Sequence, residues 1–211
     1  VLGNVLIAMG LAALIAFGYQ YKTGEPLMNA DQIAYQLHSI DPFAGTLWFA
    51  AIAGVWLFCS GIISGYFDNR SNYLNMRMRL AQHPLLKKLM SEKTRVKFAN
   101  YMHENYGSLI GNLCFGMLLG ITGVVGYLTH LPLDIRHVAF SSANVGYIAV
   151  SGQFTYSLLL QCIGFVLLIG LVNLIVSFLL TLWVALRSLN AEIDSWWPIW
   201  HEVCQIVKKR P

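Results

Sequence analysis

The sequence predicts an all-α, polytopic integral membrane bundle of about four spanning helices, with a helical loop on one side and an interfacial or re-entrant segment on the other. Three observations predict it. Of 211 residues, 56% are hydrophobic and 11% charged, against roughly a quarter charged in a soluble domain. Four apolar stretches approach or exceed the ~20 residues needed to cross a hydrocarbon core ~30 Å thick. Lysine and arginine are crowded into two of the segments outside those stretches.

The first stretch, residues 1–19, opens on Val1, which predicts a processed chain or a piece of a longer one. It has no basic leader and no small-residue cleavage site, so it does not read as a signal peptide. The second covers residues 45–67 and the third 108–131. The fourth, 156–186, would be ~46 Å long as a helix and must tilt or protrude. The loop 68–107 holds eight Lys or Arg and the tail 187–211 four, while Lys22 and Arg136 stand alone in the other two connections. That bias predicts a cytoplasmic loop and C-terminus, with the segment 132–155 facing outward. Residues 135–152 are apolar enough to tempt a fifth crossing. They include Arg136, His137, Ser141, Ser142 and Asn144, and a crossing would put the basic tail outside. A re-entrant or interfacial element is expected, since polar backbone at depth is tolerated only where protein covers it.

Within the spans, Gly61 and Gly65, Gly107 and Gly111, and Gly116 and Gly120 are spaced four apart. Such pairs let helix backbones approach closely where lipid supplies no hydrophobic drive, either within the chain or with a partner. Asn112, Asn173, Ser177 and Thr181 are expected to hydrogen-bond between helices. Cys59, Cys114 and Cys162 read as small apolar packing residues, and Cys204 sits alone in the tail. Trp48 and Trp183 mark span ends. Trp196, Trp197 and Trp200 predict an amphipathic, interfacial tail on the cytoplasmic leaflet.

The basic loop is expected to form two or three short helices, with Pro84 in a first turn and Ser91 as an N-cap. Its Arg77, Arg79, Lys87, Lys88, Lys93, Arg95 and Lys97 form a lipid or partner surface. The first reading is attraction to anionic lipid, worth about 1 kcal/mol per basic residue near the surface. Docking of a partner protein, or of the rest of a longer chain, comes second. Nucleic acid comes last, because every cytoplasmic loop is basic.

No catalytic, cofactor or metal site is predicted. His130, Asp134 and His137 are the best metal guess, but Pro132 breaks the register that would align them. Their stretch reads instead as a turn with an Asp134–Arg136 pair. Nucleotide fingerprints and a GxSxG context are absent.

Three runs carry a family resemblance. They are Ser64-Gly65-Tyr66-Phe67-Asp68-Asn69-Arg70, Gly111-Asn112-Leu113-Cys114-Phe115-Gly116, and Leu131-Pro132-Leu133-Asp134-Ile135-Arg136-His137-Val138-Ala139-Phe140. With residues 173–187 they resemble the Gcr-type site-specific recombinase family of bacterial transmembrane proteins over nearly the whole chain. The resemblance implies the C-terminal membrane portion of proteins several times longer, placed in the bacterial inner membrane. Strand exchange would need a tyrosine among Arg-His-Arg, or a serine backed by arginines, around a phosphate. Arg70, His83, Arg95 and Tyr101 could be named, but any basic loop supplies such a set. The expectation is therefore a non-enzymatic anchor, scaffold or subunit of a larger membrane assembly. The alternatives are a DNA-transacting membrane protein, as the family label suggests, and a transporter or lipid-handling component.

Overall fold

The computed structural model describes residues 2–131, 133–152 and 155–188. These residues form helices and no strand: α1 (Leu2–Thr23), α2 (Ala30–Ile40), a 3-10 turn (Pro42–Ala44), α3 (Thr46–Tyr73), α4 (Met76–Gln82), α5 (Pro84–Leu89), α6 (Glu92–Thr129), α7 (Val138–Ala149) and α8 (Tyr156–Ser188). Helices α1, α3, α6 and α8 are long and apolar enough to cross a membrane. Two units separate by contact, Val1–Phe178 and Leu179–Pro211. All contacts below belong to the first; the described part of the second is the end of α8.

Burial runs opposite to that of a soluble protein. Leu6, Leu14, Phe17, Ile62, Met117, Ile121 and Leu128 are exposed, while Ala12, Ala16, Ala50, Ala53, Ser60 and Thr122 are buried. Lipid chains can solvate the large side chains, and small interior residues let backbones close up.

Helices α3 and α6 form a long antiparallel hairpin. Its seam is polar and small: Trp56 Nε1 donates to Thr122 Oγ1 at 2.9 Å, and the Gly107 N–H donates to Asp68 Oδ1 at 2.9 Å. Further along, Ser71 Oγ meets His103 Nδ1 at 3.0 Å, and Phe67 stacks edge-on against Tyr106. A Cβ on Gly107 would overlap the Ser64 carbonyl and the Asp68 carboxylate, and one on Gly111 would lie 3.0 Å from the Ser60 carbonyl oxygen.

Helices α1, α2, α7 and α8 share an aliphatic core of Val5, Ile40, Val138, Val145, Cys162, Val166 and Ile169, reached by Ala50 of α3. Helix α2 starts in a reciprocal capping box: the Gln32 N–H donates to Asn29 Oδ1 and the Asn29 N–H to Gln32 Oε1. In the connection between the first two apolar stretches, Asn29-x-x-Gln32 is the sequence pattern of such a helix start.

The basic loop folds as α4 and α5, with Pro84 in the first turn of α5 and Ser91 capping α6. Helix α6 then runs unbroken for 38 residues into the apolar stretch, ~57 Å in all. The tail residues Trp196, Trp197, Trp200 and Cys204 lie outside the described residues.

Candidate functional site

After α6 the chain reverses at His130, whose φ of 55° is left-handed, and returns along α6 as an extended limb. The Leu133 carbonyl and Cβ occupy the space a Cβ on Gly126 would need. Asp134 and Ile135 flank Leu119, Gly120, Gly123 and Val124, and the His137 ring sits edge-on to Phe115 at 5.0 Å. From Gly126 to Phe115 is ~16 Å of helix, which the five residues 133–137 can match when extended, at ~3.3 Å each. The limb therefore inserts beside α6 rather than lying across its end.

Helix α7 starts at the bottom of this limb, held by Asn173 of α8. Asn173 Oδ1 accepts from the Val138 N–H at 3.1 Å, and its Nδ2 donates to the Ala50 carbonyl at 2.7 Å and the Arg136 carbonyl at 3.2 Å. One buried amide thus joins α3, the limb, α7 and α8. It meets an otherwise orphaned donor of the α7 first turn. Asn173 can reach α3 because Gly54 there has no side chain: a Cβ would lie 2.8 Å from Val176 Cβ. His137 caps α7 as well, its Nδ1 accepting from the Ala139 N–H at 3.4 Å. Burial lowers the His137 pKa from its ordinary value. The acceptor role needs the same neutral ring, with its proton on Nε2.

From Asn173 back to the start of α8 at Tyr156 is ~26 Å, and α7 accounts for ~18 Å of the return. Helix α7 is too short to cross a bilayer. It packs on α1, where Gly146 closes against the Met9 carbonyl and Ala12. Asn144 Nδ2 donates to Gln36 Oε1 of α2 at 2.7 Å.

Asp134 and Arg136 form the only ion pair among the described residues. The Arg136 side chain is 16% exposed, and its Nε is buried with no hydrogen-bond partner. Charge this close to an apolar helix is tolerated only when paired. Beside the pair lies a groove of about 380 Å³, lined by Gly116, Leu119, Gly120, Gly123, Val124, Asp134, Ile135 and Phe140.

The glycines expected to pack helices therefore divide. Gly107 and Gly111 lie in the α3–α6 seam, whereas a Cβ on Gly61, Gly65, Gly116 or Gly120 would meet nothing within 4 Å. Gly61 borders a shallow groove along the seam with Ser64 and Asn112. Ser177 is half-buried one turn beyond Asn173. Arg77, Arg79, Lys87, Lys88, Lys93 and Lys97 are exposed. Arg95 is drawn inward, its Nε donating to the Ala81 carbonyl at 2.7 Å. Arg70 turns to the Tyr66 hydroxyl at 3.4 Å, while His83 begins α5 and Tyr101 is exposed. His130, Asp134 and His137 are not gathered: among the described residues no three His, Cys, Asp or Glu side chains converge as metal ligands.

The family whose model matches residues 1–211 is described as site-specific recombinase. No curated protein and no solved structure matches the chain.

Proposed function

The chain belongs to the site-specific recombinase family, and from that premise we propose that it is a membrane-embedded, non-enzymatic module of a larger membrane assembly. One observation carries the reading. A Cβ on Gly116, Gly120 or Gly123 of α6 would meet nothing within 4 Å, and these glycines line a groove bordered by Asp134 and Ile135 of the limb, while Gly107 and Gly111 on the same helix are closed by α3. A second backbone can approach such a face closely, and the groove gives a partner helix a place to sit. In this reading the basic loop faces the cytoplasm of a bacterial inner membrane, and the limb with α7 is a re-entrant hairpin entering from the opposite side.

The test is the variant pair Gly116→Leu and Gly120→Leu, expressed as the full protein and extracted in mild detergent. The wild type is expected to elute as a complex larger than one chain. The double variant should elute as a single chain with an unchanged melting temperature. An unchanged elution profile would remove the reading.

A second reading is handling of a lipid or polar solute, favoured by the Asp134–Arg136 pair beside the groove. It predicts that Asp134→Asn with Arg136→Gln abolishes an uptake or lipid-transfer phenotype while leaving assembly intact. Retained phenotype in that variant would remove it.

A further inference from the structure

We propose that the tip of the α3–α6 hairpin, built from α4, α5 and the start of α6, is a docking surface for an acidic amphipathic segment of a partner protein. This inference is independent of the packing reading above, since it concerns residues outside the apolar stretch.

The geometry begins with α6. Its apolar run starts near Ser108, so residues 92–107 extend ~24 Å beyond it. Helix α4 runs beside this extension and antiparallel to it. Met76 lies at Ser71, which meets His103, and five residues later the Ala81 carbonyl takes the Arg95 Nε. Helix α5 closes the tip. The hairpin is therefore a stalk that leads away from the bundle.

Six cations decorate it: Arg77, Arg79, Lys87, Lys88, Lys93 and Lys97. All are exposed, and none joins an ion pair among the described residues. Lys97 already stands ~16 Å along α6 from Ser108, and Lys93 farther. At physiological ionic strength charge is screened over about 8 Å, so headgroups of the bilayer that holds the apolar stretch are a poor match for most of this charge.

The apolar residues between the cations narrow the choice. Met78 is 61% exposed, Leu85 61% and Leu89 78%. Leu85 and Leu89 are four apart on α5 and share a side, with Lys88 next to them. A nucleic-acid backbone could use the cations, but it offers nothing to those leucines. A protein segment carrying acidic residues around an apolar stripe matches both, with the charges steering and the leucines anchoring. Arg95 is excluded from the surface because its guanidinium holds the end of α4.

The experiment uses the full chain in native membranes, with Leu89 replaced by photoreactive benzoylphenylalanine. Irradiation should give an adduct with one protein, mapping to a peptide of net negative charge. Lys87→Glu with Lys88→Glu should cut the yield about tenfold or more, equivalent to ~1.4 kcal/mol. Lys87→Arg with Lys88→Arg should retain it, and all variants should keep the wild-type melting temperature. Adducts on lipid, on nucleic acid or on a non-acidic peptide would overturn the proposal. So would no adduct at all, or an adduct indifferent to charge reversal.

Discussion

The α3–α6 hairpin and the cluster of α1, α2, α7 and the first half of α8 are held together by opposite chemistries. The hairpin seam is made of Gly107, Gly111, Ser60, Ser64 and Thr122, with hydrogen bonds from Trp56 and to Asp68. The cluster has an aliphatic core, Val5, Ile40, Val145, Val166 and Ile169, with one glycine contact of its own at Gly146 and the Asn173 amide at its edge. Close backbone approach is a main attractive term between helices in lipid, so the seam excludes bulk. Where the short helices α2 and α7 pack against α1 and α8, branched side chains are buried instead, as in a soluble core. The difference says that one bundle contains two packing regimes, with Asn173 at their junction.

The largest effect should come from putting bulk into the seam. Gly107→Leu forces α3 and α6 apart at the Ser64 carbonyl, a backbone atom that cannot swing aside. A loss of ~3 kcal/mol or more is expected from such overpacking, measured as a lowered melting temperature in detergent. Gly116→Leu on the same helix should change monomer stability by less than ~0.5 kcal/mol. If the two variants unfold alike, the α3–α6 seam is not tightly packed at Gly107.

Removing the junction comes next. Asn173→Leu is close in size but leaves the Val138 N–H orphaned and frees two carbonyls. The expected loss is ~2–3 kcal/mol, with Asn173→Asp intermediate because it keeps the acceptor for Val138. Hydrogen exchange at Val138 should rise in the leucine variant and stay low in the aspartate one. Equal protection in both would show that the amide does not hold α7. Smaller again is Trp56→Phe, which removes the bond to Thr122 together with part of the indole ring. About 1 kcal/mol is expected, and a neutral result would mean that water or lipid replaces it.

The sequence made much of this legible and left the rest hidden for physical reasons. Spans show because lipid imposes about 20 apolar residues on each, and Ser91 and Pro84 show because helix ends have fixed chemical needs. Asn173 was recognisable as a polar residue that needs a partner, yet its partners lie 123, 37 and 35 residues away in sequence. No local pattern encodes those pairings. The glycine pairs look alike along the chain, although Gly107 and Gly111 are covered and Gly116 and Gly120 are not. Spacing sets how closely a helix can approach, whereas only the path of the chain decides which helix is there. The limb at residues 133–137 was hardest to read, because Asp134, Arg136 and His137 give it the polarity of a surface turn and nothing local signals that it inserts beside α6.

The finest probe of the junction is pH. Burial holds the His137 pKa below its ordinary value of 6.5, so the folded chain resists a proton that the unfolded chain accepts. Above pH 6.5 both states are neutral there, and the contribution of His137 to stability is fully present. As pH falls below 6.5 towards the lower folded pKa, the unfolded state binds more protons and stability declines. His137→Asn keeps an oxygen to accept the Ala139 N–H but cannot titrate. The melting temperature of the wild type should therefore fall more between pH 7.5 and 5.5 than that of the variant, since every other titrating group is shared. Matching slopes would mean that the ring is protonated without penalty. The limb would then be open to water, and the contrast between a dry aliphatic cluster and a hydrogen-bonded seam would lose its footing at the point where the two meet.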